Sequence, residues 1–246
     1  AVAVSVSAHG EWTTLSASSD AGPSGVVHRH VALRNAQGEE RVDVDLALFS
    51  AKSCALRIIQ NESGNNALAE VMQSEKCLAG VNGGYFNPEF APIGLRIING
   101  QIVTPLVRAR LLTGLLVSSS RGVQILRIRE FSIRSKVDSA VECGPFLVEL
   151  GQPIRGLDNT RAARRTFAVT ASPDRVALGF CSEVSLAGLS QILSTARLAD
   201  DFKVQRALNL DGGSSSAFWV ARNDGAPISI SEQKSVRDFI GMIPRR

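Results

Sequence analysis

Short β-favouring segments separated by turn signals run through most of this 246-residue chain. Residues 41–49 are typical, because four aliphatic side chains alternate with two aspartates, as in a half-buried strand. Residues 95–98 and 101–103 flank Asn99-Gly100, a strong hairpin signal since a type I′ turn needs positive φ at both central positions. Such a chain is expected to fold mainly through strand pairing.

Two segments have helical rather than strand character. Residues 65–76 follow a possible Asn cap, and residues 185–196 can be capped by Ser185. The remaining strand-like segments are 25–33, 54–59, 111–117, 123–128, 166–171, 175–181, 207–210, 217–220 and 235–243. Many strands and a few helices predict an α+β fold, with the helices packed on a largely antiparallel or mixed β-sheet core.

The length allows either one large domain or two small ones. Because the chain has no internal repeat, low-complexity tract or long linker, a single domain over residues 1–246 is expected, in which residues 1–76 contribute N-terminal strands. No apolar run approaches the roughly 20 residues that span a bilayer, so no transmembrane segment is expected.

Charge excludes one class of partner. The chain has 27 Lys and Arg against 23 Asp and Glu, a net charge of +4 without a polybasic block. Nucleic-acid binding by a charged face is therefore not expected. The densest basic run, residues 161–165, lies either in a solvated loop or where it neutralises an anionic group such as a phosphate.

The four cysteines, Cys54, Cys77, Cys143 and Cys181, allow two disulfides in three pairings. Nearest-neighbour pairing, 54 with 77 and 143 with 181, is the expected arrangement, and four free buried thiols are the alternative. The chain starts without Met, as expected after removal of a signal peptide or in a trimmed chain. Together these features predict a secreted or periplasmic protein.

Two strand-like runs end in paired glycines. Residues 207–216 read ALNLDGGSSS and residues 81–87 read VNGGYFN. The glycines let the backbone turn tightly and approach a ligand, and successive turn N–H groups can bind an anion. The pair predicts one composite ligand site, against the alternative of two ordinary tight turns.

Four motifs in this order resemble the phosphodiester glycosidase family. They are residues 82–86 (NGGYF), 144–148 (GPFLV), 164–166 (RRT) and 208–215 (LNLDGGSS), and the resemblance covers residues 77–243. The resemblance implies a hydrolase that cleaves the glycosidic bond of a sugar-1-phosphodiester. Its expected partner is therefore a carbohydrate or sugar-phosphate substrate.

Glycoside cleavage passes through an oxocarbenium-like transition state that a carboxylate stabilises. Asp211 is the first candidate, as base, nucleophile or electrostatic partner, and Glu142 is the second, with Glu149 a further option. Arg165 is expected to neutralise the phosphate, which leaves as a stable anion and needs little general acid. Arg164 either assists or faces solvent.

Twelve further residues are expected to bind sugar hydroxyls or phosphate oxygens, or to stack on a sugar ring. They are Asn82, Gly83, Gly84, Tyr85, Phe86, Asn87, Thr166, Asn209, Gly212, Gly213, Ser214 and Ser215. No cofactor is expected, and no metal ligands are assigned.

Other functions remain open at this level. The same turns suit a non-catalytic module that binds anionic or envelope glycans. A metal-dependent phosphodiesterase would hold Ca²⁺ or Mg²⁺ with Asp211, Glu142 and carbonyl groups. A serine hydrolase with Ser215 as nucleophile is weaker, because Ala217 replaces the second glycine of a nucleophile elbow. The only histidines are His9, His28 and His30; the last two share a strand face but have no obvious third metal ligand.

Overall fold

The computed structural model describes residues 12–245 of the chain. Its strands are β1 Trp12–Ala21, β2 Val27–Asn35, β3 Arg41–Ser50, β4 Cys54–Gln60, β5 Ala79–Asn82, β6 Arg96–Ile98, β7 Gln101–Thr104, β8 Gly114–Ser119, β9 Gly122–Arg127, β10 Ser139–Cys143, β11 Phe146–Glu149, β12 Gln152–Pro153, β13 Ala163–Ala171, β14 Arg175–Val184, β15 Val204–Asn209, β16 Phe218–Val220, β17 Ile228–Ile230 and β18 Asp238–Pro244. Its α-helices are α1 Leu68–Ser74 and α2 Leu186–Thr195.

The strands form three sheets. The large sheet has the order β1-β2-β3-β14-β13-β15-β11-β12, and the two small sheets have the orders β7-β6-β10-β8-β9 and β17-β16-β5-β18-β4. All pairings between these strands are antiparallel. The antiparallel sheet and the few helices agree with the expected class, but the fold is largely β rather than balanced α+β.

Period-two alternation assigns each face of the large sheet to a different core. On β3, Val42, Val44, Leu46 and Leu48 face a hydrophobic cluster that includes α2, as their alternation predicted. The opposite face, with Ala47 and Phe49 of β3, packs into a central cluster to which strands of all three sheets contribute. The central cluster therefore holds the small sheets against the large one.

Both helices occur where expected, but the first is shorter. The amide of Leu68 at the start of α1 donates to the Glu232 carboxylate at 2.9 Å, so a distant carboxylate replaces the expected Asn cap. Ser185 does cap α2, because its Oγ accepts the amide of Gly188 at 3.0 Å. Strand β1 was not expected, since its exposed, polar sequence lacks alternation; it is paired only on the β2 side.

The expected disulfides are wrong, because all four cysteines are buried free thiols. Cys143 faces the central cluster, whereas Cys181 faces the cluster on the other side of the large sheet. Cys54 also faces the central cluster, and Cys77 packs in a separate cluster around α1. Each expected pair is thus divided between different hydrophobic clusters.

Within residues 12–245, no helix is long and apolar enough to cross a membrane.

Candidate functional site

The two glycine-rich turns meet at the edge between sheets. Strand β5 ends at Asn82 in a small sheet, and β15 ends at Asn209 in the large sheet. The amide of Asp211 donates to the Gly83 carbonyl at 3.2 Å, and Asn82 Nδ2 donates to the Asp211 carbonyl at 2.8 Å. The two turns, 129 residues apart between positions 82 and 211, therefore form one surface.

Asn82 is the connector of this surface. Its side chain is fully buried, and its Oδ1 accepts the Thr166 hydroxyl at 2.7 Å and the Ala217 amide at 3.0 Å. Thr166 is also fully buried, and its carbonyl accepts the amide of Leu210. Asn82 and Thr166 therefore hold the walls of the surface together through their own hydrogen bonds.

A buried ion pair that the sequence analysis missed lies beneath the first turn. Arg96 Nε donates to Asp238 Oδ2 at 2.7 Å, and both side chains are at most 3% exposed. Asp238 Oδ1 accepts the amide of Gly84 at 2.9 Å. A Cβ on Gly83 would collide with Asp238, and one on Gly84 would collide with Arg96. The glycines are thus required by this close packing, whatever they also do for a ligand.

A hydrogen-bonded group joins the first turn to β11 and β15. The Tyr85 hydroxyl donates to the Gly144 carbonyl at 2.6 Å and accepts from Asn209 Nδ2 at 3.1 Å. Burial, reinforced by the nearby Cys143 and Asp211, raises the pKa of Tyr85, so the phenol stays neutral. Asn209 Oδ1 is buried and has no hydrogen-bond partner among the described residues.

Asp211 is the half-buried carboxylate of this surface. Burial raises its pKa, and the Asp238 charge adds to that; the Ser215 hydroxyl, Lys234 and the amide of Gly212 act in the opposite direction. The Gly212 amide donates to Asp211 Oδ1 at 3.0 Å. A carboxylate with a raised pKa, in a turn that has open space beside Gly213, is suited to proton transfer or to stabilising positive charge.

Arg165 extends from β13 toward the second turn. It is 9% exposed, its Nε donates to the Val184 carbonyl at 2.9 Å, and its Nη2 donates to the Arg161 carbonyl at 2.7 Å. Its Nη1 lies 3.9 Å from where a Cβ on Gly212 would be, and it has no hydrogen bond to a described residue. Burial lowers the pKa of Arg165, and the charge of Asp158 acts in the opposite direction, but no carboxylate in residues 12–245 is close enough to form an ion pair with it. Burying a cation without a counter-charge is costly unless an anion comes to the site.

The serines after Gly213 bring further unsatisfied groups to the same turn. Ser215 and Ser216 are fully buried; the Ser215 hydroxyl lies near enough to Asp211 to lower its pKa, but neither hydroxyl has the geometry of a hydrogen bond to a described residue. The Ser214 carbonyl accepts the amide of Gln233, which ties the turn to residues 231–235. Gly213 has φ +66° and open space around its Cβ position, so the backbone is reachable there. Buried polar atoms without partners are rare in folded proteins, and their clustering here is typical of a ligand or water site.

Phe86, Asn87 and Lys234 lie at the rim. Phe86 and Phe90 pack edge to face at 5.1 Å, and Lys234 Nζ lies 5.1 Å from the Phe86 ring centre. The Asn87 side chain accepts the Ala91 amide at 2.8 Å and so closes its own turn. Lys234, which the sequence analysis missed, brings a positive charge near Asp211.

The side chains of the other two candidate carboxylates have no hydrogen bond to the described residues of the two turns. Glu142 is fully buried on β10, where its Oε2 accepts the amides of Leu95 at 2.7 Å and Val107 at 3.0 Å. Its Oε1 has no partner among the described residues. Glu149 forms an ion pair with Arg127 at 2.6 Å.

Two alternatives from the sequence analysis are a metal site and a serine nucleophile. In residues 12–245, no group of three or more His, Cys, Asp or Glu side chains is arranged to hold a metal ion. His28 and His30 do have a carboxylate beside them, because Asp45 Oδ1 lies 2.8 Å from His28 Nε2 and 3.0 Å from His30 Nδ1. No hydrogen bond joins either ring to Ser215, and His9 lies outside the described residues.

A protein-family model matches the part of the chain that contains both turns. The family model for phosphodiester glycosidase matches residues 75–243, more than half of the chain. The chain belongs to the phosphodiester glycosidase family. No curated protein sequence matches it significantly.

Solved structures share the fold of this family member at low sequence identity. A hypothetical protein from Synechocystis superposes with a TM-score of 0.64 and 12% identity over 89% of this chain, which spans 62% of that protein. A second match is the catalytic domain of zebrafish N-acetylglucosamine-1-phosphodiester alpha-N-acetylglucosaminidase, auto-inhibited by pro-peptide. It superposes with a TM-score of 0.61 and 14% identity, and the match covers 98% of this chain and 85% of that one. A candidate exported protein from Burkholderia pseudomallei superposes with a TM-score of 0.56 and 13% identity, and the match covers 87% of this chain and 74% of that one.

The sequence analysis identified the two turns but not the charged groups around them. Arg96 and Asp238 were placed only within predicted strands, and Lys234 lies in a segment without a motif. A charged residue inside an otherwise apolar strand was the available signal for Arg96, since such a charge needs a buried partner. The assembled surface combines a carboxylate, an unpaired guanidinium and open backbone at one turn.

Proposed function

We propose that this protein hydrolyses the bond between the anomeric carbon of a sugar and the phosphate of a sugar-1-phosphodiester. The observation that carries the proposal is Arg165, a buried guanidinium without a carboxylate partner in the described residues, with Nη1 beside Gly212 and Asp211 in the same turn. An anionic group bound at Nη1 would supply the directly bonded counter-charge that no described carboxylate provides. The family supports glycosidic cleavage of phosphodiesters as the reaction class.

In the proposed reaction, the C1–O bond to the phosphate breaks and its electron pair stays with the phosphate oxygen. The oxygen of a water molecule ends on C1, so the products are the free sugar and a phosphate monoester. Arg165 stabilises the negative charge that grows on the leaving phosphate. Asp211 stabilises the oxocarbenium-like centre, either directly or by taking a proton from the water.

The remaining candidates are assigned by their contacts. The Gly212 and Gly213 backbone and the Ser214 and Ser215 region are proposed to receive phosphate or sugar oxygens. Asn209 offers its unpartnered Oδ1 to a sugar hydroxyl. It is also proposed to hold the two turns in place, together with Asn82, Thr166, Gly83 and Gly84. Phe86 at the rim and the partly buried Tyr85 are proposed to offer ring surface to a sugar, and Asn87 shapes the turn that carries Phe86.

Glu142 is proposed to act through the backbone. Because Oε2 is committed to the amides of Leu95 and Val107, the carboxylate fixes the loop that follows β7 against β10. We therefore assign it a positioning role, in which Glu142→Gln lowers kcat while leaving the pH dependence set by Asp211 unchanged. A shift of that pH dependence in Glu142→Gln would instead assign it to the reacting atoms.

We also propose that the protein acts outside the cytoplasm. The support is the likeness to a candidate exported protein, since the free thiols remove the disulfide argument. Cell fractionation of the native protein tests this directly, and recovery of the full pool with cytosolic markers would contradict it.

The test of the reaction is hydrolysis in ¹⁸O-labelled water. Sugar-1-phosphodiesters, aryl glycosides and aryl phosphodiesters are supplied to the wild type, to Asp211→Asn and to the remote control Asp200→Asn, with and without chelator. The proposal expects ¹⁸O in the released sugar, activity lost only in Asp211→Asn, and no effect of chelator. Label in the phosphate would move the attack to phosphorus. Saturable binding of the diesters without turnover would indicate a glycan-binding module.

A further inference from the structure

One stretch of the chain carries the whole positive excess. Residues 101–137 contain seven Arg and Lys and one carboxylate, whereas the rest of the chain has 20 cationic and 22 acidic residues. The single carboxylate, Glu130, is ion-paired with Arg206, and Arg127 is paired with Glu149. The other six cations are exposed and have no ion-pair partner in residues 12–245; we call them the basic face: Arg108, Arg110, Arg121, Arg129, Arg134 and Lys136.

The basic face lines two adjoining clefts on the outer side of the sheet β7-β6-β10-β8-β9. The first has a volume of about 670 Å³ and contains Arg108 and Arg129. The second has a volume of about 380 Å³ and contains Arg121, Arg134 and Lys136. Phe131 lines both clefts, so they adjoin at this side chain.

The first cleft is connected to the proposed active site by direct packing. The loop after β7 is held to β10 by the Val107 amide on Glu142 and by the Thr113 amide on the Cys143 carbonyl at 3.1 Å. The Leu111 carbonyl packs so closely on Gly144 that a Cβ there would collide with it. The Gly144 carbonyl in turn holds Tyr85 and Asn209 of the site. The loop that carries Arg108 of the first cleft therefore packs against the wall of the site.

We infer that the basic face binds an anionic glycan with phosphate groups repeated along its length. This inference rests on the proposed function and names its substrate as a polymer. The second cleft adds the hydroxyls of Ser119, Ser120 and Ser135 and the amide of Gln124, which are partners for sugar hydroxyls. A nucleic acid is disfavoured because Phe131 is the sole aromatic side chain lining the two clefts, so successive bases have no stacking platform.

The experiment measures binding of phosphomannan and of uncharged mannan to the full chain by titration calorimetry over a series of salt concentrations. Arg108→Gln/Arg129→Gln removes two charges from the first cleft, and Arg134→Gln/Lys136→Gln removes two from the second. Arg34→Gln/Arg41→Gln is the matched control, since these exposed cations are paired opposite each other on β2 and β3 in the large sheet. Thermal unfolding of each variant checks that it is folded.

The inference expects phosphomannan to bind at least tenfold more tightly than mannan, and each cleft variant to lose about tenfold of that affinity. Salt dependence should also be weaker in the cleft variants, because fewer counterions are released on binding. The control should bind like the wild type.

Equal binding by the cleft variants and the control would overturn the inference, as would equal binding of mannan. Tighter binding of single-stranded DNA or of anionic lipid vesicles would assign the face to another partner and also overturn it. If phosphomannan binds as expected but no sugar-1-phosphodiester is hydrolysed, the proposed reaction fails while the basic face stands.

Discussion

Replacing Arg165 by Gln tests the proposed site most directly. The substitution removes the buried charge and keeps a polar side chain that can still donate to one of the two carbonyls now bound by Nε and Nη2. Only Nη1 lacks a hydrogen bond to a described residue, so the expected functional loss is about one charge-assisted hydrogen bond to the phosphate. Such a bond is worth about 1.5–3 kcal/mol. Since about 1.36 kcal/mol corresponds to tenfold in rate, kcat/KM should fall by about 10- to 150-fold.

The assay compares a sugar-1-phosphodiester with an aryl glycoside of the same sugar, and the loss should be confined to the phosphodiester. Inorganic phosphate should inhibit the wild type competitively and inhibit Arg165→Gln much less. The folded state should change little, because losing a carbonyl partner is offset by removing an unpaired buried cation. A folded Arg165→Gln protein whose kcat/KM on the phosphodiester stays within about threefold of the wild type would refute the reasoning.

Four other predictions concern the groups around this arginine. Because burial raises the pKa of Asp211, the folded state binds the proton more tightly than the unfolded state. The stability of the wild type should therefore fall relative to that of Asp211→Asn as pH rises through and above the usual aspartate range. Urea denaturation between pH 3 and 7 measures this difference, and a difference that stays constant with pH would contradict the prediction. Lys234→Gln removes a positive charge that lowers the pKa of Asp211, so this pKa should rise further and the acidic limb of the kcat/KM profile should move to higher pH. An unchanged acidic limb would show that the two charges do not interact. Asp238→Asn leaves the buried Arg96 without its counter-charge and should lower the free energy of unfolding by about 3–5 kcal/mol, whereas Asp200→Asn in an exposed pair should cost less than about 1 kcal/mol. Thiol titration should find four free cysteines after unfolding without reductant, and fewer than four would restore the disulfide hypothesis.

Local patterns were sufficient for the parts of the fold that depend on neighbouring residues. Alternation along β3, the Asn99-Gly100 hairpin between β6 and β7, and the Ser185 cap of α2 all occur as expected. Each is decided within a few residues by side-chain period, turn geometry or one capping hydrogen bond. The length of α1 was overestimated, because its first turn depends on Glu232, more than 160 residues away.

The candidate site divides in the same way. The sequence determined where the two glycine turns and Asp211 lie along the chain, since a strand that ends in glycines is a local feature. Tertiary structure decided that Gly83 touches Asp211, that Arg165 is buried without a carboxylate partner, and that Glu142 is bound to backbone amides. It also placed the cysteines in separate hydrophobic clusters. These outcomes depend on which strands from distant parts of the chain pair and which face each side chain takes, and no short segment contains that information.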